Sequence, residues 1–83
     1  MMTAAQLRAA RALLGIDQKT LAAWSQVSLP TIQRMEASDG IVRGNVDTLT
    51  KVLEALDQAG VVLLADEPLN GGGRGVRFKT AAH

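Results

Sequence analysis

QKTLAAWSQVSLPTIQRME, residues 18–36, reads as two short helices joined by a tight turn, and the rest of the chain is arranged around it. Asp17 suits the N-cap of the first helix, where its carboxylate accepts from the free amides of the first turn. Leu21, Ala22 and Ser25 then share one inward face. Ser28 repeats the cap signal ahead of Leu29, Pro30 and Thr31, and Pro30 is tolerated because the first turn of a helix needs no amide donor there. Only Gln26 and Val27 separate the first helix from the second cap. That is too short for the two helices to lie antiparallel side by side, so they must cross steeply, with the small Ala22 where the axes approach. Val27, Ile32 and Met35 form the apolar side of the second helix. Ser28, Leu29, Gln33 and Arg34 remain on the other side, with Thr31 near the boundary.

Working outward, Thr3 caps a helix over Ala4–Leu14 that ends at Gly15. Leu7, Ala10, Arg11 and Leu14 share its inner stripe, which puts a charge in an apolar row. An arginine there needs a partner, and Glu36 is the candidate for a structural ion pair. Trp24, the one tryptophan, reads as a partly buried packing residue rather than an anchor for a partner. Residues 37–44, ASDGIVRG, form a loop with turn residues at Ser38, Asp39 and Gly40. Asn45 then caps a fourth helix, Val46 to Gln58, with Val46, Leu49, Leu53 and Leu56 inward and Asp47, Lys51, Glu54 and Asp57 mostly outside.

After Gly60 the period changes. Val61, Val62, Leu63, Leu64 and Ala65 make a β-prone run, residues 66–74 carry Pro68, Asn70 and three consecutive glycines, and residues 75–79, GVRFK, alternate apolar and basic. The pattern predicts a hairpin with a long flexible loop. GGGRG precedes a strand, not a helix, so it is a connection and not a phosphate cradle. A two-stranded hairpin is marginal alone and leaves an apolar edge, which pairing with a second copy would cover. Val61, Val62, Leu63, Leu64, Val76 and Phe78 are thus the expected dimerisation residues. The chain divides into residues 1–59 and a C-terminal β extension, 60–83.

Eighty-three residues without cysteine make one small domain with no disulfide, thiolate metal site or cysteine nucleophile. The only histidine is His83, so neither a Ser/His/Asp set nor a zinc site can be assembled; no catalysis, cofactor or metal is expected. No apolar run approaches the roughly 20 residues of a membrane span, and the first twelve residues lack a signal peptide's apolar core. A soluble cytoplasmic protein is expected. Net charge is +1, but it is unevenly spread: residues 1–44 hold five Lys/Arg against three Asp/Glu, residues 45–70 one against five, and the last thirteen add three basic residues and no acid. A basic face on a nearly neutral molecule fits this distribution, as does ordinary solvated charge.

LRAAR at 7–11, GIDQKTLA at 15–22, VSLPTIQRME at 27–36 and the amphipathic helix that follows together resemble the phage-repressor-like (Xre-type) helix-turn-helix family, over about 50 of the 83 residues. The resemblance implies a mainly α fold, a four-helix repressor-like domain followed by a C-terminal β-strand pair used in dimerisation. It further implies a regulator of transcription whose helix from Ser28 enters the major groove of double-stranded DNA. Gln18 would touch the backbone or a base at the groove edge, and the family commonly pairs an arginine and a glutamate at the places of Arg11 and Glu36. Phosphate contacts fall to Arg43, Asn45, Gln18 and Lys19, although Arg43 is also readable as a solvated loop residue. Base edges would meet Ser28, Leu29, Pro30, Thr31, Gln33 and Arg34, with Gln33 suited to adenine, Arg34 to guanine, and Leu29 or the Thr31 methyl to thymine. A homodimer would set two such helices about 34 Å apart on an inverted repeat. The sequence departs from the family at Gln26, where glycine is usual in a left-handed turn; a strained φ there costs on the order of 1 kcal/mol. The alternative expectation is an interaction protein of antitoxin or anti-activator type, using the same fold on a protein partner.

Overall fold

In the computed structural model, which describes residues 2–81, the chain forms four helices and a two-stranded antiparallel sheet: α1 (Ala4–Leu14), α2 (Gln18–Ser25), α3 (Leu29–Glu36), α4 (Val46–Gln58), β1 (Val61–Leu64) and β2 (Gly75–Phe78). Each helix begins where a short polar side chain can accept from the amide three residues on: Thr3, Asp17, Ser28 and Asn45. At Thr3 the bond is reciprocated. The Gln6 amide donates to Thr3 Oγ1 at 3.1 Å while the Thr3 amide donates to Gln6 Oε1 at 2.9 Å, a capping box. Gly15 ends α1 in the left-handed conformation at φ 68°, and its N–H donates to the Ala12 carbonyl.

The apolar stripes converge on one core. Leu7 and Ala10 from α1, Leu21 and Ala22 from α2, Ile32 and Met35 from α3, and Leu49, Val52 and Leu56 from α4 are all buried. Besides Val61 of the first strand, two further core residues come from outside the helices. Met2 and Val42 are sealed inside because residues 2–4 pair with residues 40–42: the Val42 amide donates to Met2 O, and the Ala4 amide to Gly40 O, each at 2.9 Å. This staple ties the chain start to the α3–α4 connection.

Val46 does not face inward as expected; it is 74 % exposed. The buried arc of α4 is centred on Val52 and Leu56, and at 100° per residue Val46 stands about 100° away from it. Leu53, nearer the arc's edge, is half-buried against the core.

The hairpin closes within the chain, with Val61 opposite Phe78, Val62 opposite Arg77, Leu63 opposite Val76 and Leu64 opposite Gly75. Val61 is buried in the common core, and Leu63, Val76 and Phe78 pack half-buried against it. Gln6 reaches across from α1: its Nε2 donates to Leu64 O at 2.8 Å and Gly75 O at 3.0 Å. At the other end the Lys79 amide donates to Gly60 O at 2.8 Å, and Lys79 Nζ meets Asp57 at 2.9 Å. The connection expected to be an open flexible loop is braced. Glu67 and Gly72 exchange backbone hydrogen bonds at 2.7 and 3.1 Å, and Arg74 faces Asp66 at 3.7 Å. Backbone pairing thus continues past the two strands into their connection. Among the described residues no helix is long and apolar enough to cross a membrane.

Candidate nucleic-acid interface

The turn between α2 and α3 is set by local bonds. Asp17 Oδ1 accepts from the Thr20 amide at 2.7 Å, and the hydrogen bonds from Thr20 hold the Asp17 carboxyl below the ordinary aspartate range. Ser25 is buried but satisfied, donating its hydroxyl to Leu21 O at 2.7 Å. Gln26 then turns left-handed at φ 58°, the one non-glycine with positive φ among the described residues. The N–H of Val27 reaches back to Ala22 O at 3.1 Å, so the α2 C-terminus is capped although the position lacks glycine. The turn is therefore the unmodified one, with glutamine bearing the strain. Ser28 restarts the chain as α3, its Oγ accepting from the Thr31 amide and lying 2.8 Å from Thr31 Oγ1.

On α3, Ser28, Pro30, Gln33 and Arg34 are exposed and Thr31 is half-buried. Leu29 departs from the expected outward set. It is half-buried and packs against the core, because it shares the i, i+3, i+7 stripe of Ile32 and Glu36.

Glu36 is the hub that fixes this helix. Its side chain is 3 % exposed and takes Arg11 bidentately, with Nε on Oε2 at 2.6 Å and Nη2 on Oε1 at 2.7 Å. The hydrogen bond to Glu36 raises the Arg11 pKa against the opposing effect of burial. Arg11 also donates to Ile16 O at 3.1 Å, closing the α1–α2 corner. Arg8, one turn earlier on the same side of α1, donates to the Glu36 main-chain carbonyl and occupies an otherwise open acceptor at the α3 C-terminus. The sequence reading missed Arg8; its i, i+3 spacing from Arg11 was the available signal.

No family model and no curated protein matches this chain. The site therefore rests on its own geometry.

Gln18 opens α2 and donates Nε2 to Glu36 Oε1 at 3.1 Å, so the same carboxylate that orients α3 also orients the Gln18 amide. Lys19 beside it is exposed. Arg43 and Asn45 lie on the separate α3–α4 connection, both exposed. The Asn45 oxygen is occupied by the Thr48 amide at 2.7 Å, which leaves its amide nitrogen as the outward group. Val46, the next residue, is exposed at the first position of α4.

The expected dimerisation residues divide. Val61 is core, and Leu63, Val76 and Phe78 pack on the chain's own helices, whereas Val62 and Leu64 stand outside that cluster. β1 has β2 on one side only, and a shallow groove lined by Leu53, Leu56, Val61, Val62 and Leu63, with Glu54 and Asp57 from α4, runs beside it. Trp24, expected to be a partly buried packing residue, is 50 % exposed beside Ala55, Gln58 and Ala59, and Leu69 is 100 % exposed at the hairpin tip. His83 lies outside the described residues.

Proposed function

We propose that the protein is a repressor-like helix-turn-helix regulator that binds double-stranded DNA as a homodimer on an inverted repeat, inserting α3 into the major groove. The observation that carries this reading is α3 itself. A bidentate ion pair on the buried Glu36 carboxylate holds its inner side, while Ser28 at its start and Gln33 and Arg34 farther along are exposed. A helix kept only as a packing element has no need of that exposed donor and acceptor row, nor of a charged clamp setting its angle. In this reading Gln33 suits adenine N6/N7, Arg34 suits guanine O6/N7, and the Thr31 methyl meets thymine. Arg43, Lys19 and the outward Asn45 nitrogen hold phosphates, and the Asn45 cap aims the start of α4 at the same backbone. The dimer forms along the free side of β1, where a second copy's β1 extends the sheet and fills the groove beside α4. A protein with this task works in the cytoplasm, beside DNA.

Several rounds of selection from random duplexes, followed by affinity measurement at two salt concentrations, test it. Enrichment of an inverted repeat bound by two chains is expected. Arg34→Ala then costs about 1–3 kcal/mol and relaxes one base position, whereas Arg43→Ala weakens all sequences alike and flattens the salt dependence. Equal losses on every sequence for both variants would overturn the assigned roles.

A second reading is favoured by Trp24, half exposed at the α2 end opposite Gln18. An interaction protein of antitoxin or anti-activator type would present such an aromatic anchor to a protein partner. A selection that enriches nothing, together with loss of a co-purifying protein in Trp24→Ala, would establish that reading instead.

A further inference from the structure

The chain contains two asparagines, and their surroundings are opposite. Asn45 caps α4: its Oδ1 accepts from the Thr48 amide at 2.7 Å, and the residue after it is the branched Val46. Asn70 stands exposed at the hairpin tip between the fully exposed Leu69 and Gly71. Its side chain is held only by a bond from Nδ2 to Glu67 Oε2 at 3.4 Å. The main chain around it is braced by three bonds, from the Asn70 and Gly72 amides to Glu67 O, each at 3.1 Å, and from the Glu67 amide to Gly72 O at 2.7 Å. The Gly71 amide takes no part in that brace. Gly71 has φ 70°, and even a Cβ built on it would meet nothing within 4 Å, so no side chain shields its nitrogen.

We propose that the Asn70–Gly71 step is a self-modification site, at which the side-chain amide is lost by intramolecular attack and the hairpin tip becomes more acidic. Asparagine is among the labile side chains, and a following glycine leaves the attacking nitrogen open. That nitrogen gives its proton to hydroxide and attacks Asn70 Cγ. The new N–Cγ bond closes a five-membered imide, and the Cγ–Nδ2 bond breaks, Nδ2 leaving as ammonia after taking a proton from solvent. Water then adds to one of the two ring carbonyls and breaks its bond to the Gly71 nitrogen. Opening at the main-chain carbonyl routes the chain through the side chain as isoaspartate; opening at Cγ gives aspartate. The sum is water in and ammonia out, with no change of oxidation state. At Asn45 both requirements fail, since its oxygen is held in the cap and the branched Val46 crowds the attacking nitrogen. The product at the tip sets a carboxylate where an amide donated to Glu67, so attraction becomes repulsion. A ninth acid against nine basic residues takes the net charge from +1 to 0. Isoaspartate also lengthens the main chain by one atom between Glu67 and Gly72 and breaks the register of their bonds. The opening stops at the strands, whose near end is held by the Gln6 Nε2 bonds to Leu64 O and Gly75 O.

The test incubates the full-length protein folded in mildly alkaline buffer, and in parallel unfolded in urea, then digests it and weighs the resolved peptides. In the folded sample the peptide carrying Asn70 is expected to convert from amide to acid as two separable products, and the intact chain to focus at a net charge of 0 in place of +1, while the peptide carrying Asn45 keeps its amide. Conversion slows in mildly acid buffer, where hydroxide is scarcer, and is lost in Asn70→Gln, whose longer side chain has to close a larger ring. The Asp39–Gly40 step can close the same imide but changes neither mass nor charge, so it does not enter this signal. In the aged protein amide exchange quickens at Glu67, Asn70 and Gly72 and is unchanged across Val61–Leu64; Asn70→Asp, which has the charge without the extra main-chain atom, quickens it less. If the folded chain keeps Asn70 as the amide while the urea-unfolded chain converts it, the braced turn protects the site and the proposal falls. It falls too if Asn45 converts in the folded protein as fast as Asn70.

Discussion

Between α1 and α3 the joining polar group is one buried carboxylate that gathers three donor groups from Arg11 and Gln18, whereas between α1 and the hairpin it is one neutral amide, that of Gln6. The two joints differ in what failure leaves behind. Removing Glu36 strands a guanidinium in a largely desolvated corner. Removing the Gln6 amide strands only two carbonyls that already belong to a strand ladder. The first joint holds the candidate reading helix at one angle, and the second holds an extension whose own apolar contacts are half-buried. A charged clamp is all-or-none, and an amide clip is graded.

Glu36→Ala is the strongest way to break that contrast. A loss of about 3–5 kcal/mol is expected in urea unfolding, most of the stability available to a domain this small. Glu36→Gln, which keeps the shape and some hydrogen bonds, should lose less. If Glu36→Ala is no worse than Gln6→Ala, the carboxylate is not the hub described here.

Gln6→Ala comes next, at about 1–3 kcal/mol, since it removes both hairpin bonds and half of the capping box. The sharper readout is local. Amide exchange across Val61–Leu64 and Gly75–Phe78 should accelerate while that of Leu21 and Val52 follows global stability only. Uniform acceleration throughout would mean that the hairpin and the helical body unfold as one unit.

The four helices were legible in the sequence because each carries its own cap and a 3.6-residue stripe, and these are local signals. Arg11 and Glu36 were legible as a pair because a charge in an apolar row demands a partner. What escaped the reading depends on chain segments far apart in sequence. The pairing of residues 2–4 with residues 40–42 has no periodicity to announce it, so Met2 and Val42 were not recognised as core. That Glu36 takes the Gln18 nitrogen was not visible from the neighbours of Gln18 in the chain. Val46 and Leu29 were misplaced at helix starts, where one residue of rotation changes the face and too few turns precede to fix the phase. The apolar strand was visible, but how Val61 and Val62 divide between the core and the free edge was not, since an unbroken apolar run carries no alternation.

Gln26→Gly probes a smaller effect, within the helical body. Glutamine at φ 58° bears a strain of roughly 1–2 kcal/mol, and glycine's greater unfolded-state entropy returns part of the gain. A net stabilisation of about 0.5–1 kcal/mol is expected, with Gln26→Val destabilised because its branched Cβ tolerates the left-handed region least. Should glycine destabilise instead, the Gln26 side chain must contribute something beyond its backbone.

The smallest expected effect separates the charged joint from the neutral one by pH. The Asp17 carboxyl is held below its ordinary range by the hydrogen bonds from Thr20. A depressed folded-state pKa means that ionised Asp17 contributes stability above the unfolded aspartate value. That contribution is lost as pH falls through the folded value. Asp17→Asn keeps a competent cap but cannot titrate, so its stability should fall less steeply than that of the wild type on entering the acid range, while the two nearly coincide at neutral pH. The Gln6 joint has no titrating group, so the difference between the wild type and Gln6→Ala should hold constant across the same range. If that difference instead follows pH as Asp17 does, the hairpin is coupled to the charged network through α1, and the two joints are one.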